Sequence, residues 1–369
     1  MDNPVPRLSV CHRNRMSDDG PTDSDALPIM MLNPYVRVLW RSNDTVQLEL
    51  GRRRVVLQGV NTPALTSLLG TRSRSSPPQR QNIASRRENV PPSPGPLPSG
   101  LQTVAKQLRL AGFMVDAQLP TAVTPSWHAA ELAAVTATEG DRGPATLSRR
   151  ASSLVRIDGT SRLAVTIATT LCVAGIGHVY VNGSGQARLS HCGPGALSLA
   201  DEGERFNLAV ARRLSEHAPA VNIASPPPGV HPDLVILADE AAPDPDELAQ
   251  LQRQEQPHLF ASSTIDCGVV GPTVLPGRSS CHRCADLHRV ERDEAWQVLA
   301  AQLAVTPARS AGAPVALSTI VAGLAAAQAL ALIDGSEVTT LNGGLEIHPP
   351  DYRVRRRTWQ PHRDCGCLR

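Results

Sequence analysis

The segment from Leu154 to Val181 constrains this chain more than any other. A short apolar run, Leu154 to Ile157, meets a turn at Asp158-Gly159-Thr160-Ser161, and an apolar helical pattern follows from Leu163 to Ala174. Gly175-Ile176-Gly177 stops that helix, and His178-Val179-Tyr180-Val181 reads as a second strand. Strand, turn, helix, glycine and strand within about thirty residues make a βαβ unit, which requires parallel strands joined by a crossover. The pattern continues with a helix over 204–217, an apolar strand Asp233–Ala238, a helix Asp246–Gln256 and a strand His258–Ser262. This repetition predicts an α/β domain over residues 151–369, Rossmann-like and doubly wound, with a mainly parallel sheet.

A smaller pattern lies upstream. Thr45–Leu50 places Val46, Leu48 and Leu50 on one face at period two, between the strand-like runs Tyr35–Trp40 and Val55–Leu57. Thr62 and Pro63 suit the start of a short helix to Leu69. Leu101–Leu110 carries Leu101, Val104, Ala105 and Leu108 on one helical face, and Phe113-Met114-Val115 follows as a strand. Residues 31–118 are therefore expected to form a small α+β module. It is interrupted by a disordered Arg-, Ser- and Pro-rich insertion at 71–99. The polar stretch 1–30 reads as a disordered tail, and 119–150 as a linker with a helix near Ser126–Ala137.

Charge and composition narrow the partners. Thirty-six basic against 34 acidic residues leave a net charge of +2, without the electrostatic footprint of a dedicated nucleic-acid binder. Lys106 is the only lysine, so lysine-based chemistry has a single candidate. The apolar stretch Ala311–Ile333 is rich in alanine and contains Pro314, Ser318 and Gln328, which reads as a core helix rather than a membrane span. Met1–Gly20 has no apolar core of a secretory signal, so a cytoplasmic protein with reduced thiols is expected.

In that setting clustered cysteines favour metal. Cys281-His282-Arg283-Cys284 forms one close pair and Cys365-Gly366-Cys367 another. Four thiolates suit a closed tetrahedral zinc site, structural rather than catalytic, stapling the C-terminal stretch to a loop. The alternatives are four unremarkable cysteines or a redox C-x-x-C, though a redox pair normally opens a helix and this one follows Pro276-Gly277 in an expected loop. Cys172 falls on an apolar helix as a core residue, and Cys11, Cys192 and Cys267 have no partner pattern. A phosphate-binding turn after the first strand would need several glycines, and this one offers only Gly159. The acid that would hold a ribose after the second strand is replaced by Asn182. A nicotinamide or flavin oxidoreductase needs the same missing groups.

The residues also carry a resemblance. Leu171-Cys172-Val173-Ala174-Gly175-Ile176-Gly177-His178-Val179 resembles the helix-to-strand motif of the ThiF/MoeB superfamily, the ubiquitin-activating-enzyme-like adenylyltransferases. Asp233–Asp239 resembles its strand ending in an aspartate. Gly271–Gly277 running into Cys281 and Cys284 resembles the approach to its zinc knuckle, and Ala313-Pro314 with the alanine-rich stretch after it resembles its late helix. The resemblance implies ATP-dependent activation of a peptide or protein carboxylate, with Asp239 as magnesium ligand and Arg205 as the nearest basic residue. Gly159 and Asn182 then mark a degenerate nucleotide site. The family's S-N-L-N-R-Q stretch, its phosphate-side lysine and a thioester cysteine within 311–333 have no counterparts.

The layout as a whole, with Ala285-Asp286-Leu287-His288-Arg289 after the Cys-x-x-Cys pair and Trp296 later, is similar to actinobacterial leader-peptide-binding ThiF proteins of azole-peptide biosynthesis. That likeness implies a winged-helix-like first module taking a precursor peptide as an added strand. It also implies a ThiF-like half acting as scaffold beside a YcaO-type cyclodehydratase, and a homodimer. A plain dimerisation or docking module is the other reading of the first unit. Two functions follow as expectations: a peptide- or protein-binding scaffold with an eroded ATP site, or an adenylyltransferase.

Overall fold

The computed structural model describes residues 7–10, 30–33, 35–42, 45–58, 99–116, 128–239, 243–305 and 312–368. The expected helix Thr62–Leu69, the expected insertion up to residue 98 and most of the 1–30 tail lie outside them, and Ser99, the last residue of that insertion, opens a helix. The chain divides into two compact units, residues 1–147 and 148–369.

The first unit contains strands β1 (Arg7–Val10), β2 (Met30–Leu32), β3 (Arg37–Trp40), β4 (Thr45–Leu50) and β5 (Arg53–Gln58). Helix α1 (Ser99–Leu110) and strand β6 (Met114–Asp116) follow, then helix α2 (Ala129–Glu139) within the expected linker. Four strands pair antiparallel in the order β1-β5-β4-β3, and β2 pairs with β6. Val46, Leu48 and Leu50 of β4 are buried in alternation, as their period demands, against Val104 and Leu108 of α1 and Phe113. Arg53 of β5 ties the strand to two later segments of the unit: its guanidinium donates to the carbonyls of Ala111, at 2.7 Å, and Ala137. Residues 7–10, read from sequence as part of a disordered tail, form the strand beside β5.

The second unit begins within helix α3 (Gly143–Ser152). It continues with β7 (Leu154–Asp158), α4 (Arg162–Val173), β8 (His178–Asn182), α5 (Phe206–His217), β9 (Leu234–Ala238), α6 (Pro245–Arg253) and β10 (His258–Ser263). The rest is β11 (Gly268–Val274), α7 (His282–Val290), α8 (Trp296–Val305), α9 (Val315–Asp334), β12 (Gly343–His348) and β13 (Arg353–Thr358). These strands build one sheet in the order β13-β12-β11-β10-β9-β7-β8. The four strands β8, β7, β9 and β10 are parallel, as the βαβ pattern requires, and β11, β12 and β13 extend the sheet antiparallel.

Every residue of β9 is buried, because helices cover both faces of the sheet. Leu234, Ile236 and Ala238 join the core formed with α4, α5 and α9, while Val235 and Leu237 meet Leu248 and Leu251 of α6. Helix α9 is apolar and long enough to cross a membrane, yet Leu317, Val321, Ala322, Ala325, Ala326 and Ala329 are buried in this core. It is a core helix, and its small side chains let it lie close to α4. The outer strand β13 is exposed along its length and carries Arg353, Arg355, Arg356 and Arg357, charges that discourage edge-to-edge association.

One buried ion pair fastens the start of this unit to the end of α9. Arg150 meets Asp334 at 2.7 Å, with side chains only 5% and 9% exposed, and also donates to the Ala174 carbonyl. Removing one partner strands the other charge, so Arg150→Ala should cost about 3–5 kcal/mol in chemical denaturation. The Arg150→Met/Asp334→Leu pair should recover most of that loss.

Candidate functional site

In open α/β sheets ligands bind at the C-terminal ends of the parallel strands, where the strand order reverses. Here the reversal falls at β7, flanked by β8 on one side and β9 on the other. Gly159 stands in the turn that leaves β7, at a φ of +156°. A Cβ at this position would collide with the Ala238 carbonyl at the end of β9, so the glycine lets the backbone turn lie against the neighbouring strand. That packing accounts for the one glycine of the turn without a phosphate.

The groups around it are engaged within the chain. Ser161 caps α4: its hydroxyl accepts from the Ala164 N–H at 3.1 Å and donates to the Ala238 carbonyl at 3.0 Å. A helix N-terminus capped by its own hydroxyl has one fewer donor for an anion. Arg162, the nearest cation on α4, donates to the carbonyls of Cys192 and Ala313. Asn182 donates to Asp158 at 2.9 Å, and the other Asp158 oxygen pairs with Arg156 at 3.0 Å. Burial, reinforced by the Asp158 charge, holds the Glu247 carboxyl above the usual carboxylate range.

The remaining sequence candidates lie at the ends of elements. Asp239 is exposed directly after β9. Arg205 is exposed at the N-cap of α5, where its backbone bridges to Gln186. The structure thus brings Gly159 and Asn182 together around Asp158. It leaves Asp239 exposed after β9 and Arg205 exposed at the head of α5.

The cysteines converge. Cys281 caps α7 and Cys284 lies in its first turn, so the pair opens a helix rather than lying in the expected loop. The second pair is nevertheless folded back onto it. The sulfurs of Cys281 and Cys365 are 3.5 Å apart, those of Cys284 and Cys367 3.4 Å, and those of Cys281 and Cys284 4.0 Å. Tetrahedral binding at about 2.3 Å per sulfur needs separations of roughly 3.8 Å, and these distances bracket that value. The four residues could therefore hold a metal ion. Gly366 takes a φ of +75°, a left-handed turn between Cys365 and Cys367 that a side chain would strain.

Electrostatics fit the same reading. Burial and the adjacent thiols push Cys365 far up and Cys367 up to about 12. Burial also opposes ionisation of Cys284, but the His362 N–H, 3.3 Å from its sulfur, helps hold it below the usual thiol value. Cys365 and Cys367 thus favour their protonated form without a cation, and a divalent ion would release those protons.

A brace that sequence reading missed sits against this clasp. His362, nearly buried, pairs with Glu291 at 3.0 Å, and Glu291 also faces His288 at 3.3 Å. The Asp364 N–H donates to Nδ1 of His362, which leaves its Nε2–H to donate to Glu291. His362 and Glu291 therefore form a hydrogen-bonded strut. His288 also pairs with the Gln360 carbonyl, and Arg289 lies over the rings of Trp296 and Trp359. A helical H-x-x-E spacing was the only available signal, since His362 is distant in sequence.

The sheet order, the reversal at β7 and the crossover through α4 define a ThiF-like α/β fold. Among solved structures the chain is similar to E. coli MccB bound to AMPCPP and MccA, with a TM-score of 0.67 and 15% identity over 92% of this chain and 99% of that one. It is likewise similar to the microcin C7 biosynthetic enzyme MccB in complex with N-formylated MccA, at 0.63 and 16% over 92% and 99%. PaaA matches at 0.56 and 17%, over 70% of this chain and 91% of that one. No family model and no curated protein matches the sequence.

Elemental analysis of the purified protein should find about one divalent metal ion per chain. Cys284→Ser should reduce it several-fold, and acidification should release it, because the thiolates must be protonated for the ion to leave.

Proposed function

We propose that the protein is a ThiF-like peptide- or protein-binding partner whose second unit serves as scaffold, with its nucleotide site given over to internal contacts. The observation that carries this reading is the engagement of Ser161, Arg162 and Asn182 by the chain's own backbone and by Asp158. A triphosphate arriving at β7 would have to displace those bonds, beside the carboxyl groups of Asp158 and Glu247, and no lysine exists in this unit to compensate. The small antiparallel sheet of the first unit suits the other half of the reading, because an extended peptide can add to a sheet edge through main-chain hydrogen bonds.

In this reading the partner is a precursor peptide or small protein, presented in the cytoplasm to a modifying enzyme such as a YcaO-type cyclodehydratase. The working form is a homodimer. Cys281, Cys284, Cys365 and Cys367 hold a structural zinc, with no open coordination position for catalysis. The zinc ties the C-terminal turn to the first turn of α7.

A second reading has a specific observation in its favour. Asp239 is exposed beyond β9, Arg205 stands at the head of α5, and the similar protein MccB has been solved with ATP. In an adenylyltransferase a peptide carboxylate would attack the α-phosphate and pyrophosphate would leave, with Asp239 holding magnesium. The scaffold reading predicts that the purified protein exchanges labelled pyrophosphate into ATP no faster than a blank, with or without Asp239→Ala. Robust exchange abolished by Asp239→Ala would establish the adenylyltransferase instead.

A further inference from the structure

Strand β1 has an unusual origin. It comes from residues 7–10, yet it pairs with the fifth strand in sequence order, and residues 11–29 separate it from β2. The ladder is antiparallel and sets Arg7 opposite Gln58, Leu8 opposite Leu57, Ser9 opposite Val56 and Val10 opposite Val55. Val55 and Leu57 are buried, on the face of β5 that joins the unit's core. The two apolar residues of Arg-Leu-Ser-Val thus occupy the register positions that extend the apolar face of the sheet. The opposite edge, at β3, is built differently: its residues are exposed or half-buried, and a strand added there would extend little core.

The outer edge of β5 is therefore an acceptor for an extended segment with apolar residues two apart, and the chain supplies one. A ladder of four residues is shorter than the typical strand of about 5–6, so few main-chain bonds hold it. We propose that Arg7–Val10 occupies in cis the strand-accepting edge that a peptide partner must use, making the N-terminal segment an internal competitor for that site. This rests on the peptide-binding reading and adds the edge, the register and the regulation. Because the competitor is covalently attached, its effective concentration is on the order of millimolar, and only a partner that outcompetes it is retained.

The test uses the protein lacking residues 1–12 and, separately, the full chain carrying Leu8→Asp and Val10→Asp. The probe is a fluorescein-labelled synthetic peptide of residues 3–14 with Cys11→Ser, followed by anisotropy. Both altered proteins should bind it at least about tenfold more tightly than the full chain. A Leu8→Asp version of the peptide should lose that binding. Hydrogen exchange should show amides of β5 protected in the full chain, exposed in both altered proteins and protected again on adding the peptide.

Equal binding by all three proteins, or unchanged β5 protection after deletion in a protein that keeps its circular dichroism, would overturn the proposal. The exchange measurement needs no foreign peptide. If it shows the predicted release while no precursor peptide binds either altered protein, the partner reading fails and the cis contact stands. If precursor peptides bind but β5 protection never changes, the cis contact fails and the partner reading stands.

Discussion

The second unit depends on how closely the turn after β7 lies against the end of β9. Gly159 has no Cβ to hold the Ala238 carbonyl away, and the Ser161 hydroxyl bonds that same carbonyl while capping α4. One contact thus sets three things at once: the approach of adjacent parallel strands, the start of the crossover helix and the shape of the rim between them. Strand β9 packs against α4, α5 and α9 on one face and against α6 on the other. A phosphate-binding version of this rim would leave helix N–H groups and a cation facing outward. In this chain Arg162 is drawn instead onto the Cys192 and Ala313 carbonyls.

A second constraint acts at the far end of the chain. The cysteine clasp brings residues 365–367 onto the first turn of α7, and the Glu291–His362 strut and the Gln360–His288 contact reinforce it. Four neighbouring thiols are costly as anions and poorly bonded as acids, so a metal ion is the natural way to relieve them. Four thiolate ligands would leave a bound ion no open position, so the role we propose for it is to hold the chain together rather than to react.

Much of this could be read from the residues, and what could not has physical causes. Strand β9 announces itself because a strand buried on both faces is a continuous apolar run, and β4 because a half-buried strand alternates. The cysteine spacing identified the clasp through metal geometry, although the expectation that Cys281 and Cys284 lie in a loop missed the helix that Cys281 caps. Strand β11 was hidden by its composition, since Gly268, Gly271 and Pro272 read as turn residues. Strand β13 carries four arginines and no alternation, because an exposed edge strand has no core to pattern it. Strand β1 was folded into the expected tail, because four residues bounded by polar sequence carry almost no periodic signal. At the turn after β7 the single Gly159 and the Asn182 at the end of β8 were legible. That Ser161, Arg162 and Asn182 are taken up by internal bonds was not, because those bonds join residues far apart in sequence.

The chain has a ThiF-like fold, and our central proposal is that its nucleotide end is closed by the chain itself. Isothermal titration of magnesium-ATP into the metal-loaded full-length protein tests it most directly. The account predicts no saturable binding heat up to millimolar nucleotide. Stoichiometric binding in the micromolar range, weakened by Asp239→Ala, would contradict it.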